Sequence, residues 1–224
     1  MEKEGKLTAI IFGGSGLTGR FLTELLLKDT RYDKLILFVR KEIPVYHGKI
    51  RQVIFDPDNI SEKESEITGN QAFCCIGTTI KKAGSKEVFF KIDHDLVINL
   101  AKASLKNGIP VFTVISSIGA NTKASNFYLN TKGLMEEKLK SIGFKNLNIL
   151  RPSMLLGLRS ESRKLEEVGK VLMKALGFLL IGKLEKYKPV HAETVARAMI
   201  KAANQNNGTV VLESNSIQQL GNID

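Results

Sequence analysis

Leu7-Thr8-Ala9-Ile10-Ile11-Phe12-Gly13-Gly14-Ser15-Gly16-Leu17-Thr18-Gly19-Arg20 is the stretch on which the fold turns. An apolar run rich in β-branched residues breaks into a glycine loop. The loop opens into Phe21-Leu22-Thr23-Glu24-Leu25-Leu26-Leu27, which reads as a helix. Strand, glycine turn and helix, in that order, form the context that a dinucleotide-binding loop requires. Two spacings fit at once: Gly14, Gly16 and Gly19 give GxGxxG, and Gly13, Gly16 and Gly19 give GxxGxxG. Glycine permits the backbone angles of a tight turn leaving a strand. It also lets a pyrophosphate approach the backbone and a helix pack close to the strand. The free N–H groups of the helix start then face the phosphates, aided by the helix dipole. An ordinary Gly-rich turn is the bland alternative.

Outward from this stretch, strands alternate with helices. Residues 34–40, 49–56, 71–77, 110–115, 148–152 and 208–212 read as strands. Residues 89–106, 127–141, 161–176 and 192–203 read as helices, with Gly108 and Gly143 as stop signals. Several strands are unbroken apolar runs, as expected of strands covered on both faces. The pattern predicts an α/β fold: a doubly wound parallel sheet of Rossmann type with helices on both faces. The chain past Pro152 is too short for a second core. One domain over residues 1–224 is expected, with residues 152–190 forming a small substrate cap over the strand ends.

Composition narrows the function. Hydrophobic residues make up 43% and charged residues 25% of 224 positions, as in ordinary globular proteins. No apolar run reaches the length of a membrane span. The charged start Met1-Glu2-Lys3-Glu4-Gly5-Lys6 runs straight into the first strand and predicts no secretory signal. The two cysteines, Cys74 and Cys75, are adjacent, which suits neither a disulfide nor a metal site. They read as small apolar residues at a strand end, and a cytoplasmic location is expected. His47 and His94 have no ligand partners at metal spacing, and His191 reads as structural. The net charge is +10. The lysines are dispersed and aromatics are only 7%, so nothing resembles a nucleic-acid-stacking platform. A basic surface around an anionic cofactor is the simpler account.

The end of the second strand separates the two nicotinamide cofactors. An acid there would bind ribose hydroxyls, whereas an arginine accommodates a 2′-phosphate. The chain carries Val39-Arg40-Lys41, with Arg40 twenty-one residues past Gly19. A guanidinium suits a phosphate, so NADP(H) is expected over NAD(H). A solvated strand-end charge is the other reading of Arg40. Asp56, at the end of the third strand, would lie beside the adenine or simply form the turn ahead of Pro57. Gly77-Thr78-Thr79 follows the fourth strand, where ligands lie in such sheets, though a plain turn needs the same glycine.

The most telling constellation is Ser116-Ser117 followed by Tyr128-Leu129-Asn130-Thr131-Lys132. Tyr128 and Lys132 are four apart and share a helix face. Reducing a carbonyl requires a proton donor for the developing alkoxide. A tyrosine serves when its phenolate is stabilised, which a neighbouring lysine cation does. The lysine also holds a nicotinamide ribose, and Ser117, at a strand end, holds the substrate oxygen against Tyr128.

With these residues in place, the chain resembles the short-chain dehydrogenase/reductase superfamily, in its atypical or extended branch, over nearly its full length. More narrowly, it is similar to the Tat-interacting-protein-like group of NADPH-binding members. The residues that carry the resemblance begin with Gly13-Gly14-Ser15-Gly16-Leu17-Thr18-Gly19-Arg20 and Cys75-Ile76-Gly77-Thr78-Thr79 with Lys82-Ala83-Gly84. They continue with Ser116-Ser117-Ile118-Gly119-Ala120, Tyr128-Leu129 with Lys132-Gly133, Leu150-Arg151-Pro152-Ser153 and Arg159-Ser160-Glu161-Ser162-Arg163. The resemblance implies a catalytic Ser117, Tyr128 and Lys132. It implies a cofactor held by Gly13, Ser15, Gly16, Leu17, Thr18 and Gly19 of the loop, and by Arg40, Asp56, Cys75, Gly77 and Thr78. Tyr128, Lys132, Pro152 and Ser153 would lie toward the nicotinamide. Whether Ser116 or Ser117 faces the site stays open.

Two functions follow. One is an NADP(H)-dependent oxidoreductase acting on a small carbonyl or alcohol, with Arg159, Arg163 and Lys164 as candidate grips on an anionic substrate or as a plain solvated helix start. The other is an NADPH-sensing regulator acting through a protein partner. By analogy with relatives, the helices at 89–106 and 127–141 could pair two subunits.

Overall fold

The fold is a computed structural model, which describes residues 6–157, 187–205 and 208–222. Residues 7–39 form β1 (Leu7–Phe12), α1 (Leu17–Lys28) and β2 (Tyr32–Val39). β3 (Ile50–Ile54) leads through a 3-10 turn, Ile60–Glu66, to β4 (Gln71–Cys74). Two short helices, α2 (Ile80–Ala83) and α3 (Lys86–Phe90), come next. A π-helical turn, Lys91–Leu96, joins α3 to α4 (Val97–Lys106). β5 (Val111–Ile115), α5 (Phe127–Lys140) and β6 (Asn146–Arg151) complete the central part. Two two-residue strands, β7 (Leu155–Leu156) and β8 (Val190–His191), pair with each other. α6 (Ala192–Ala203), β9 (Thr209–Glu213) and α7 (Ser214–Asn222) follow.

The seven long strands make one parallel sheet in the order β3-β2-β1-β4-β5-β6-β9. This is the predicted α/β arrangement. Strand side chains alternate between two cores. Ile10, Phe12, Phe38, Cys74 and Phe112 face α4 and α5, which contribute Val97, Leu100, Met135 and Leu139. Ala9, Ile11, Leu37 and Phe73 face α1 and α6, which contribute Leu22, Leu26, Val195 and Met199. A sheet buried on both faces explains the unbroken apolar runs. The chain runs outward from β1 to β3, then returns to β4 on the other side of β1. The crevice at that reversal lies between the carboxyl ends of β1 and β4, where ligands bind in open α/β sheets.

The predicted helix at 89–106 exists, with a π turn inside it. The predicted last strand is β9, and a further helix, α7, continues from it. Few strong helix formers mark α7 in the sequence. Burial of Ile217 and packing of α7 on α6 form it instead: a Cβ on Gly221 would sit 2.2 Å from the Thr194 carbonyl oxygen. The predicted helix at 161–176, with Arg159, Arg163 and Lys164 and most of the expected cap, lies outside the described residues.

Candidate nucleotide site and its catalytic edge

The loop after β1 is built by close approach. Gly13 sits at φ +81°, and a Cβ there would lie 2.9 Å from the Cys75 carbonyl carbon. The loop after β4 is therefore packed against it, with the Cys75 N–H donating to the Phe12 carbonyl at 2.8 Å. A Cβ on Gly19 would meet the Gly13 oxygen at 2.3 Å, so the first turn of α1 sits directly on the loop. At Gly16 the same oxygen would be 3.2 Å away, whereas at Gly14 a Cβ makes ordinary contact with Leu37 at 3.4 Å. Of the two spacings in the sequence, steric demand follows Gly13, Gly16 and Gly19.

Gly16 is the N-cap of α1 and supplies no side-chain cap, and no acid stands in the first turn. The N–H groups at that end lack intrahelical acceptors and concentrate positive potential, which favours an anion. Ser15 is exposed, and its carbonyl accepts from Arg20 Nε at 3.1 Å. Thr18 is buried. Leu17 meets the strand pair beyond β6: a Cβ on Gly157 would be 2.8 Å from Leu17 Cδ1. That strand pair therefore reaches over the start of α1.

Arg40 is exposed immediately after β2 and has no ion pair among the described residues. Asp56 forms a turn, its Oδ1 accepting from the Asp58 N–H at 2.9 Å. Gly77 is exposed, and the Thr78 N–H donates to Asp93 Oδ2 at 2.8 Å. Both cysteines are free. Cys75 Sγ lies 3.9 Å from Met199 Sδ, and burial pushes its thiol well above the ordinary range. Burial likewise pushes Cys74 up to about 12. Thiols held protonated this way are poor nucleophiles.

α5 carries Tyr128, Lys132 and Glu136 at successive four-residue intervals, hence along one stripe. Its start is capped by Asn126, which accepts from the Leu129 N–H at 3.2 Å. Gly133 lets the helix rest on the preceding loop, since a Cβ there would lie 2.3 Å from the Asn121 carbonyl carbon. Tyr128 is half-buried, its ring 5.5 Å from that of Phe89. Lys132 Nζ lies 2.8 Å from Asp93 Oδ1, with side chains only 3% and 1% exposed. Burial works against the Lys132 ammonium. The negative charge of Asp93, assisted by Tyr128 and Cys74, outweighs it and raises the lysine's pKa.

One turn on, Glu136 ties α5 to the sheet. Ser116 donates its hydroxyl to Glu136 Oε1. Arg151 Nη2 reaches Glu136 Oε2 at 2.6 Å, and Arg151 Nη1 reaches Glu213 at 2.9 Å. The hydrogen bond to Glu136 leads the interactions that hold the Arg151 guanidinium above its ordinary pKa. Ser116 is thus committed to the helix. Among the described residues, the hydroxyl of the half-buried Ser117 makes only a long 3.3 Å contact, to the Ile118 carbonyl. Pro152 is buried and its carbonyl accepts from the Ile118 N–H at 3.0 Å. The Ser153 hydroxyl donates to the Lys188 carbonyl and accepts from Ser214 at 3.1 Å. Sequence reasoning missed Asp93 and Glu136. Asp93 sits among Lys91, His94 and Asp95, which reads as a solvated charged patch, and only the π turn buries it.

Among the described residues no group of three or more His, Cys, Asp or Glu could hold a metal, and no helix is long and apolar enough to cross a membrane.

The NAD(P)H-binding family profile matches residues 13–206. The rat protein HTATIP2 is 31% identical over 220 residues, covering 96% of this chain and 89% of its own length. Mitochondrial FMP52 of Candida glabrata is 34% identical over 205 residues, covering 89% of this chain and 86% of its own. Among solved structures, MoeE5 in complex with UDP-glucose and NAD superposes with a TM-score of 0.70 at 15% identity, covering 97% of this chain and 81% of MoeE5. A likeness at that identity speaks for the fold alone. From the glycine loop, the parallel sheet and these relatives together, the chain belongs to the NAD(P)H-binding family, as an atypical short-chain dehydrogenase/reductase-type protein related to HTATIP2 and FMP52.

Proposed function

We propose that the protein is an NADP(H)-dependent oxidoreductase that interconverts a small carbonyl compound and its alcohol at Ser117, Tyr128 and Lys132. The observation that carries this reading is the stripe on α5: a half-buried tyrosine one turn from a buried lysine held as a cation. The residues also fit the cofactor. Gly13, Gly16 and Gly19 allow a loop packed closely on its own backbone and on Cys75, beside an uncapped helix start suited to a pyrophosphate.

The nicotinamide cofactor, when bound, supplies or accepts the hydride. Tyr128 gives the proton to the substrate oxygen in reduction and takes it back in oxidation. Lys132 stabilises the tyrosinate with its fixed positive charge. Ser117 orients the substrate oxygen, its hydroxyl being less committed than that of Ser116. Arg40 takes the 2′-phosphate, a role that suits an exposed guanidinium with no ion pair among the described residues. Gly77 and Thr78 line the crevice opposite the glycine loop, Cys75 contributes backbone there, and Pro152 and Ser153 close its far side. Asp56, which forms the turn after β3, is assigned to the adenine. Two free cysteines suit a reducing compartment such as the cytoplasm.

Titration of the purified protein with NADPH and NADH, for wild type and Arg40→Ala, tests the cofactor. A wild-type preference for NADPH that Arg40→Ala removes supports the assignment, and equal affinities refute it. A carbonyl screen with NADPH, with Tyr128→Phe as control, tests the chemistry.

A further inference from the structure

We propose that Gln52 is a positioning residue for NADPH selectivity: its side-chain amide clasps the backbone of Ile43, and so closes Arg40-Lys41-Glu42 into a loop of fixed shape that presents Arg40 to the 2′-phosphate. The inference rests on the role given to Arg40 above.

The clasp uses both halves of one amide. Gln52 is half-buried on β3, opposite Leu37 of β2. The Ile43 N–H donates to Gln52 Oε1 at 2.9 Å, and Gln52 Nε2 donates to the Ile43 carbonyl at 2.8 Å. Nε2 also reaches the Val45 carbonyl at 3.4 Å. A carboxamide carries an acceptor and a donor side by side, so it pairs with Ile43 much as a neighbouring strand would. The other end of the segment is tied to the same strand. Val39 ends β2 opposite Ile54, and its carbonyl accepts from the Phe55 N–H at 3.1 Å. Arg40-Lys41-Glu42 thus spans two anchors, Val39 and Ile43, each held by β3 or by the residue that follows it. Ile43 also packs on the core that contains Leu37 and Val39. Between the anchors all three side chains are exposed, and neither Arg40 nor Lys41 has an ion pair among the described residues.

A loop anchored at both ends is ordered before a ligand arrives. A free loop would lose backbone freedom on binding, and that loss would weaken the complex. The difference falls on the phosphate alone, because NADH has no 2′-phosphate for Arg40 to hold. The clasp also satisfies the backbone of Ile43, which any fold-holding contact would do. Such a contact acts on both nucleotides alike and leaves their ratio unchanged. Linkage adds a second consequence: a clasp that favours the phosphate is itself favoured, by the same factor, when the phosphate is bound.

The test is titration of NADPH and NADH into wild type and Gln52→Met, which keeps the length of the side chain and removes its hydrogen bonds. Gln52→Met is expected to bind NADPH at least about fivefold more weakly than wild type, and NADH within about twofold of it. A variant that keeps the wild-type preference for NADPH, or that loses affinity equally for both nucleotides, overturns the proposal and leaves the role of Arg40 standing. A wild type that shows no preference for NADPH refutes the role of Arg40 itself, and the proposal with it, so the two failures are distinct. Should Gln52→Met not fold, amide hydrogen exchange of the wild type decides, with adenosine 2′,5′-bisphosphate and adenosine 5′-monophosphate as saturating probes. Slower exchange of the Ile43 N–H with the bisphosphate than with the monophosphate supports the coupling of clasp to phosphate. Equal exchange with the two probes overturns it.

Discussion

Glu136 on α5 and Arg151 at the end of β6 form a two-pronged ion pair, with contacts of 2.6 Å from Nη2 and 3.0 Å from Nε, while the Ser116 hydroxyl bonds the same carboxylate. The pair holds α5 to the sheet one turn below Lys132. Glu136 is 2% exposed and Arg151 22%. Deleting Glu136 leaves Arg151 with Glu213 and takes the acceptor from the buried Ser116 hydroxyl. Glu136→Ala is expected to destabilise the fold by about 3 kcal/mol, measured as a lower urea midpoint with unchanged m-value. Arg151→Met together with Glu136→Leu is expected to recover only part of that loss, since the buried Ser116 hydroxyl and Glu213 still lose their partners.

The glycine loop gives a graded prediction. Gly19→Ala puts a methyl group against the Gly13 carbonyl oxygen, and Gly13→Ala adds a strained φ of +81° to a backbone collision. Each is expected to weaken NADPH binding at least tenfold, about 1.4 kcal/mol or more. Gly14→Ala meets only the Leu37 side chain at van der Waals distance and is expected to bind within about threefold of wild type, roughly 0.7 kcal/mol. Isothermal titration of the three variants checks the order.

Tyr128→Phe keeps the ring packed on Phe89 and removes only the hydroxyl. If Tyr128 is the proton donor, turnover on any substrate found should fall by about two orders of magnitude or more. The NADPH dissociation constant should stay close to the wild-type value. Equal losses in binding and turnover would assign the tyrosine to the cofactor cradle alone.

Stability should fall in alkali, and the sign follows from two buried groups. Burial raises Tyr32 from 10.0 to about 12 and Cys74 from 9.0 to about 12. Each stays protonated in the folded chain while its unfolded counterpart ionises. The unfolded state then binds fewer protons, so their contribution is full below about pH 9 and is lost as pH rises toward 12. Urea unfolding from pH 8 to 11 checks this. Cys74→Ala should flatten the first part of the decline, between pH 9 and 10.

Much of the fold is readable locally. The apolar run before Gly13, the helical pattern after Gly19 and the repeated alternation of strand and helix dictate a parallel sheet covered on both faces, because those features depend on short-range periodicity. Tyr128 and Lys132 share a helix face for the same reason. α7 was not readable, since its nine residues depend on packing against α6 and not on propensity.

By itself, then, the sequence determined the order of elements, the loop at the end of β1 and the four-residue spacing of the tyrosine and lysine. All of these are set by neighbours along the chain. Tertiary structure decided which residues meet across it. Gly13 and not Gly14 lies against Cys75, and Ser116 and not Ser117 is spent on Glu136. Asp93, thirty-nine residues before Lys132, is brought 2.8 Å from its ammonium. The physical reason is that burial and charge pairing act through space. A carboxylate among lysines and histidines has the same local pattern whether it faces water or the core, and only the turn that buries it reveals its partner.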